Sequence, residues 1–425
     1  MRSTRSSVIG FNVFIFLMVP IVITATPVGA VVCDSTAFAG GVGSLGEPFQ
    51  VDNRVALEQV RNCAGQNFLQ TTNIDLGDTE WDPIGDLTDP FFGTYDGDGN
   101  SITGLLITSS GNYRGLFGRV EFGTVKNVHV AGSITFSTAS AFVGGLVGFL
   151  IGTVSNSSSS VLVSAPESDY VGGLAGGVSA SNLEDSMASG SVVGKSRVGG
   201  LMGNVDGTSV IRSHSIGSVS GLDKVGGLLG GFGDGALLSN TYAHGSVTAT
   251  MTGGGLIGDL SLTGVIEKSY AIGAVSASPS GGLIGLVDVQ TDYTISGNLW
   301  DVGTTGLSVD GSSVGTVGRT TADMKLLSTF LSYGWDIDTS GELIWQICDG
   351  VNNNYPFLTS EGRNITSCSE PNPNRPPIHV PSSNSPSVLP TTGTGTSGLR
   401  FPIAIIAAGT ALLMKVRRKR LGEAL

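Results

Sequence analysis

Residues Asp169–Gly177 read DYVGGLAGG, four glycines in nine residues with valine, leucine and alanine beside them. Taken alone the stretch suits a phosphate-cradling loop, a transmembrane contact or a flexible linker. Its recurrence decides otherwise. GLFG begins at Gly115, and related pentapeptides begin at Gly144, Gly172, Gly199, Gly226, Gly254 and Gly281. Their leucines (Leu116, Leu146, Leu174, Leu201, Leu228, Leu256 and Leu283) are separated by 30, 28, 27, 27, 28 and 27 residues. A second marker keeps the same period: AGSI at Ala131, SGSV at Ser189, IGSV at Ile216, HGSV at His244 and IGAV at Ile272. Two markers at one period define a repeated unit.

The unit is built from short β-branched runs separated by Gly, Ser, Asn and Asp, and it lacks blocks of helix formers. Helical repeats are thereby excluded. A unit of this length with two or three short strands fits one coil of a right-handed parallel β-helix, whose inner face is buried only by stacking on its neighbours. Roughly eight coils at a strand spacing of about 4.8 Å predict a rod about 40 Å long. The predicted class is all-β. Leucine-rich repeats would need asparagine and further leucines, and propeller blades are longer. The uncharged stretch Ala139–Val154 resembles a membrane span, but it lies in phase with the repeats and its glycines disfavour a helix.

The G-L-hydrophobic-G repeat resembles the GLUG-motif proteins, exported bacterial proteins with such repeats. Flanking segments carry the resemblance further: NIDL at Asn73, WDPIG at Trp81 and FGTYDGDGNSI at Phe92 before the repeats, and Trp300-Asp301, TTADM at Thr320, Gly334-Trp335-Asp336 and Tyr355-Pro356 after them. It extends from about Gly43 to Leu358. The family is known chiefly from adhesin-type proteins and a few large secreted proteases, so the resemblance implies a surface rod more than a definite activity.

Composition narrows the classes further. The chain of 425 residues carries a net charge of -12, 13% charged residues and 65 glycines, yet 40% of it is hydrophobic, which a disordered chain lacks. No Lys/Arg cluster occurs away from the termini, so a nucleic-acid partner is excluded. Arg2 and Arg5, a long apolar run and the small residues Val28-Gly29-Ala30 read as a secretory signal, residues 1–30, cleaved after Ala30. An uncleaved anchor is the alternative. The four cysteines of an exported chain then read as disulfides with three possible pairings. Pairing Cys33 with Cys63 and Cys348 with Cys368 is favoured, because each pair flanks the repetitive middle. Zinc is not expected, since no CxxC occurs and His129, His214, His244 and His379 lie near no cysteine.

Residues 369–388 form a Pro/Ser/Asn-rich spacer that can hardly build a core. Next come Leu389, Pro390, Thr391, Thr392 and Gly393, an apolar segment over 399–414 and a basic tail over 415–420. This order resembles the LPxTG cell-wall sorting signal of Gram-positive surface proteins. The resemblance implies that a sortase cleaves between Thr392 and Gly393 and joins Thr392 to peptidoglycan, with residues 389–425 as the signal. The apolar segment would serve as a transmembrane helix until sorting, held by the basic tail. It is shorter than the usual span of about 20 residues, unless Leu399 and the preceding Gly/Ser residues extend it. A plain C-terminal membrane anchor is the alternative.

An open solenoid end is an unpaired sheet edge, so caps are expected. Asp52–Asn62 predicts a capping helix with Asp52 as N-cap and Val55, Ala56 and Val60 on its apolar face, within an N-terminal cap over 31–66. The solenoid follows over 67–299. A C-terminal cap segment over 300–368 contains a predicted helix at Thr321–Phe330, capped by Thr320 or Thr321.

Catalytic chemistry is hard to assemble. There is no HExxH, and the one GxSxG match, at Gly311–Gly315, has its central serine among turn residues. Asp206, Asp234, Asp259 and Asp288 follow their repeats at steps of 28, 25 and 29 and could form an acidic edge that binds Ca²⁺ weakly or serves a glycosidase. They read instead as solvated turn aspartates, with no Lys or Arg beside them. His214 and His244 read as surface or turn residues. The residues after the leucines (Phe117, Val147, Ala175, Met202, Leu229, Ile257 and Ile284) would line an outward apolar stripe under strict alternation. The favoured reading is that the glycines bend the strand so that both residues enter the core.

The sequence therefore predicts an exported, wall-anchored β-helical surface protein of a Gram-positive-type bacterium, adhesin-like or structural, with no catalytic residue, metal or cofactor. Its expected partners are sortase, peptidoglycan and a glycan or a ligand on a host or neighbouring cell. A carbohydrate-active β-helix enzyme and a membrane-anchored spacer without ligand are the alternatives.

Overall fold

The computed structural model describes residues 33–371 apart from 262, 288–291, 312–314, 364 and 366–367. Ala30, the spacer from residue 372 on, the sorting signal with Leu389–Gly393, His379 and Asp288 lie outside the described residues, as does the central serine of the GxSxG match. The first residues of the expected spacer belong to the folded chain instead: the Ser369 carbonyl accepts the Asp349 amide at 2.9 Å and the Glu370 carboxylate accepts the Leu327 amide at 3.1 Å.

The described chain is a parallel β-solenoid. One coil consists of Asp169–Gly172 (β1), Ala175–Ser179 (β2), Asn182–Glu184 (β3), Met187–Ala188 (β4) and Val192–Val193 (β5). Each strand pairs in parallel with its equivalent one coil away, so Ala175 lies between Val147 and Met202, and Val192 between Val163 and Val219. Stacked β1 strands form a six-stranded sheet. The β2 and β3 strands share one 15-stranded sheet and the β4 and β5 strands another, joined by the longer strands Phe117–Lys126, Val147–Ser155 and His129–Thr135. The stretch resembling a membrane span is a coil, with strands at Ala141–Gly144 and Val147–Ser155. No helix among the described residues is long and apolar enough to cross a membrane.

Every repeat leucine is buried, and so is the residue after it, from Phe117 to Ile284. The outward stripe does not form. Between β1 and β2 the chain folds back so tightly that both residues turn into the core. Glycine is required there by contact rather than by positive φ. A Cβ on Gly172 would lie 2.0 Å from the Ala175 carbonyl oxygen, and one on Gly176 would lie 2.4 Å from the Val143 amide nitrogen of the coil before. The GSV glycines serve stacking in the same way: a Cβ on Gly217 would stand 2.0 Å from the Gly190 oxygen, and one on Gly245 1.8 Å from that of Gly217.

A buried hydroxyl ladder runs through the corner between β3 and β4. Ser157, Ser186 and Ser213 each donate to the carbonyl two residues before, at 2.8, 2.8 and 2.9 Å. Each also accepts an amide of the preceding coil, from Val128, Ser157 and Ser186 respectively, at 3.2 Å. The residue before each serine adopts positive φ (Asn156 46°, Asp185 49°, Arg212 48°) and keeps its own amide in the ladder, donating to Glu184, Ile211 and Ser239 of the next coil. The turn carries the amide that follows away from a carbonyl partner, and the hydroxyl of the next coil's serine accepts it.

Both ends differ from expectation. At the N-terminal end Asn53, not Asp52, caps the helix Arg54–Gln59, its side chain accepting from Ala56 at 3.0 Å. That phase buries Ala56, Leu57 and Val60 and leaves Val55 65% exposed. The Cys33 and Cys63 sulfurs are joined, as are those of Cys348 and Cys368. At the other end the predicted helix over 321–330 divides into a 3-10 turn at Asp323–Lys325 and a helix at Leu327–Ser332, with Leu326 extended between them. Neither closes the solenoid. Met324 and Phe330 instead pack with Tyr242, Tyr270 and Leu299, residues of strands equivalent to β4 in successive coils. The last coil is closed by residues 309–311, where the Asp310 carboxylate accepts the amides of Leu283 and Ile284 at 2.9 and 2.6 Å.

The glycine columns yield a direct test. Gly217→Ala should lower stability by about 3 kcal/mol or more through overpacking against fixed backbone. Gly46→Ala, where nothing lies within 4 Å of the added carbon, should be near neutral in the same urea titration. Equal midpoints for the two variants would contradict the stacking role.

Candidate functional site

Three surfaces carry chemistry. The first contains the repeat aspartates, which do not form a row. Asp206 and Asp234 are exposed, bonded to Asn204 at 3.3 Å and Thr263 at 2.7 Å. Asp259 lies three residues earlier in its coil, opposite Gly231 rather than beside Asp234, as the short step of 25 residues foreshadows. There it is 4% exposed, with Lys224 Nζ 3.0 Å from its carboxylate. The expectation of an aspartate without a basic neighbour is thus corrected at Asp259. No group of His, Cys, Asp or Glu among the described residues is arranged to hold a metal ion.

The second surface is an aromatic stack along the six-stranded sheet. Tyr113, Phe142, Tyr170, Arg197 and Lys224 occupy one position in successive coils, each with φ between 50° and 63°. This left-handed residue throws its side chain out of the sheet and over the neighbouring β2 strand. Tyr113 and Phe142 stack at 5.6 Å, and Phe142 and Tyr170 at 4.9 Å. Arg119 lies 5.4 Å from the Tyr113 ring and Arg197 5.4 Å from the Tyr170 ring, so a guanidinium covers each end. The ring faces are occupied by one another, and the half-buried stack offers outward only ring edges and polar tips. A binder that used this stripe would meet it along its length rather than insert a group between rings.

The third is the outer face of the β4 strands, where His214, Tyr242 and Tyr270 lie in register. The C-terminal segment covers them. Its own small sheet joins Ile337–Asp338, Trp345–Gln346 and Phe357–Leu358. Tyr242 donates to Glu361 at 2.9 Å and Tyr270 to the Pro356 carbonyl at 2.6 Å. The indoles of Trp345 and Trp335 donate to Asn240 and to the Gly297 carbonyl at 2.9 and 2.8 Å. Tyr355 donates to Asp301 at 2.6 Å.

His214, read from sequence as a surface residue, is 5% exposed and stacks on Tyr242 at 4.4 Å; His244 is half-buried with Nε2 2.8 Å from the Tyr270 hydroxyl. Sequence reasoning missed this because an outward β4 position reads as solvent-facing until something packs on it. The aromatic residues from Phe330 to Tyr355 were the available signal. Burial pushes His214 down to about 4 and His244 to about 3.

Comparison with known proteins places the repeat. Residues 168–193, one coil, match the family model described as the GLUG motif. A protein of Evansella cellulosilytica with the provisional name Gly-rich membrane protein is 40% identical over 134 residues, 29% of this chain and 16% of that protein. Halomucin of Haloquadratum walsbyi is 32% identical over 163 residues, 35% of this chain and 2% of its own length. The chain carries GLUG repeats. It spans only a small part of either curated relative. A solved structure from Bacteroides ovatus, provisionally named an immunoglobulin A1 protease, aligns over 77% of this chain and 97% of its own at 15% identity, with a TM-score of 0.45.

The Asp259 pair sets a further expectation. Lys224→Met leaves a buried carboxylate without its cation and should cost about 3 kcal/mol or more, and adding Asp259→Asn should restore most of that. Urea unfolding of the two variants measures it. A Lys224→Met midpoint equal to that of the unmodified chain would show the pair to be solvated.

Proposed function

We propose that this protein is exported and displayed at the cell surface of a Gram-positive-type bacterium, joined to peptidoglycan through Thr392, as a non-enzymatic rod with an adhesive or structural role. The observation that carries the reading is a disulfide-bonded β-solenoid joined to a Pro-rich spacer and an LPTTG sequence. Disulfides persist in oxidising compartments. The names of the two relatives, a Gly-rich membrane protein and a halomucin, favour a surface setting. Sortase is the processing partner in this reading, and the apolar segment holds the chain in the membrane only until it is sorted. No cofactor is assigned, and Ca²⁺ has no role in it.

The half-exposed aromatic stack favours adhesion over a bare spacer. It gives the rod a continuous surface at coil spacing for an extended partner such as a glycan or a cell-surface polymer. A carbohydrate-active enzyme would need carboxylates converging on one groove. Asp206 and Asp234 are exposed at turns, and Asp259 is neutralised by Lys224.

Changing Thr392 to Ala should move the protein from the wall fraction to the membrane and culture medium. Unchanged wall attachment would defeat the sorting assignment. On an array of glycans and matrix proteins, the mature chain should bind without releasing product; turnover would make it an enzyme.

A further inference from the structure

The C-terminal segment covers a face that already belongs to a complete sheet. The β4 strands carrying His214, Tyr242 and Tyr270 pair with their neighbours on both sides, independently of the segment. Their outward side chains are sealed by bonds that each start from a side chain: the indoles donate to Asn240 and to the Gly297 carbonyl, and the tyrosines to Glu361 and to the Pro356 carbonyl. From residue 320 onward the segment can therefore leave without breaking a solenoid ladder, while residues 309–311 and the strand Thr316–Arg319, paired with Asn298–Asp301, stay with the coils. Two histidines sit within the sealed face.

The bonding fixes what those histidines tolerate. Tyr270 gives its hydroxyl proton to Pro356, so at 2.8 Å His244 Nε2 must carry the hydrogen and donate to Tyr270. A second proton has only Nδ1 to enter. The ring then becomes a cation among Tyr242, Tyr270 and Tyr355, whose centroids lie 4.6, 5.6 and 6.1 Å away. His214 and Arg363 also repel that charge. His214 itself lies face to face with Tyr242. The charged groups felt there are Glu361, which favours protonation, and Arg363, which opposes it and is paired to Glu361 at 2.8 Å. Lys325, over Tyr355 at 4.9 Å, and Asp301, which accepts from Tyr355 and Thr321, also lie on this face.

We propose that the C-terminal segment is an acid-released cover, and that protonation of His214 and His244 lifts it from the solenoid to expose the Tyr242 and Tyr270 face. The sign follows from linkage. The docked state holds both imidazoles neutral, so docking is complete above the ordinary histidine value of about 6.5 and weakens as pH falls towards the docked values. Each histidine shifts the equilibrium by up to about tenfold per pH unit across that window. The coils, stacked through backbone and buried serines, have no such dependence at these positions. The mature chain would then present a tyrosine-lined face in acidic surroundings and a sealed one at neutral pH. The inference does not depend on how the chain is anchored.

Hydroxyl-radical footprinting of the full mature chain between pH 7 and 5 tests this, because labelling of a sealed ring follows the open population. Labelling of Tyr242, Tyr270 and Trp345 should rise at least tenfold, with the core residues Phe117 and Phe232 unchanged. His214→Phe keeps the stack on Tyr242, and His244→Gln keeps a donor for Tyr270. Each single variant should make the rise shallower, and the pair should abolish it. A constant pattern across the range overturns the proposal, as does a rise that persists in the double variant, which would assign the effect to Glu361 or Asp301. Labelling of Phe117 and Phe232 in step with Tyr242 would also overturn it, since the solenoid itself would then be opening.

Discussion

The fold depends on how closely one coil's backbone can approach the next. Strand pairing sets the stacking distance, but at the β1–β2 fold and in the GSV column the chain comes nearer still, to where any β-carbon would meet a neighbouring carbonyl. Glycine is the only residue that leaves that space empty. Because the approach recurs in every coil, the glycines recur at the coil period. The repeat that marks the sequence is thus a list of places where backbone touches backbone.

Once the backbones close up, the side chains are sorted by what room is left. The leucine and its successor share the interior because the fold is too tight to turn one outward. The serines of the β3–β4 corner fill a different need: they satisfy amides that a left-handed residue has turned out of the ladder. At the β1 position the same left-handed geometry ejects Tyr113, Phe142 and Tyr170, and their rings stack along the coils with arginines over the ends. One backbone conformation therefore serves a buried polar ladder in one corner and an outer aromatic column in another.

Legibility varied with the range of the interaction. The coil, its period and the inward turn of Ala175 and its counterparts were readable, because they arise between residues one repeat apart and each repeat reports them again. The N-terminal cap was misphased by one residue: Asp52 and Asn53 are both competent caps, and burial of Leu57 rather than Val55 selected between them. The aspartates were misaligned because a three-residue displacement at Asp259 looks minor in a list of spacings yet moves the side chain to another column. His214 and His244 were misread outright, since their burial is created by residues about 100 to 150 positions later in the chain.

By itself the sequence determined a stacked β-coil with GLUG repeats, because strand propensity, turn residues and glycine period all act locally and are repeated seven times. The tertiary structure alone decided what lies on that coil: that Asp259 is paired with Lys224, that the aromatic residues at the left-handed corners form one stack, and that the C-terminal segment packs along the solenoid's side over two histidines. Those outcomes depend on contacts between side chains in different coils or across the length of the chain. No local pattern encodes a partner that arrives from so far away.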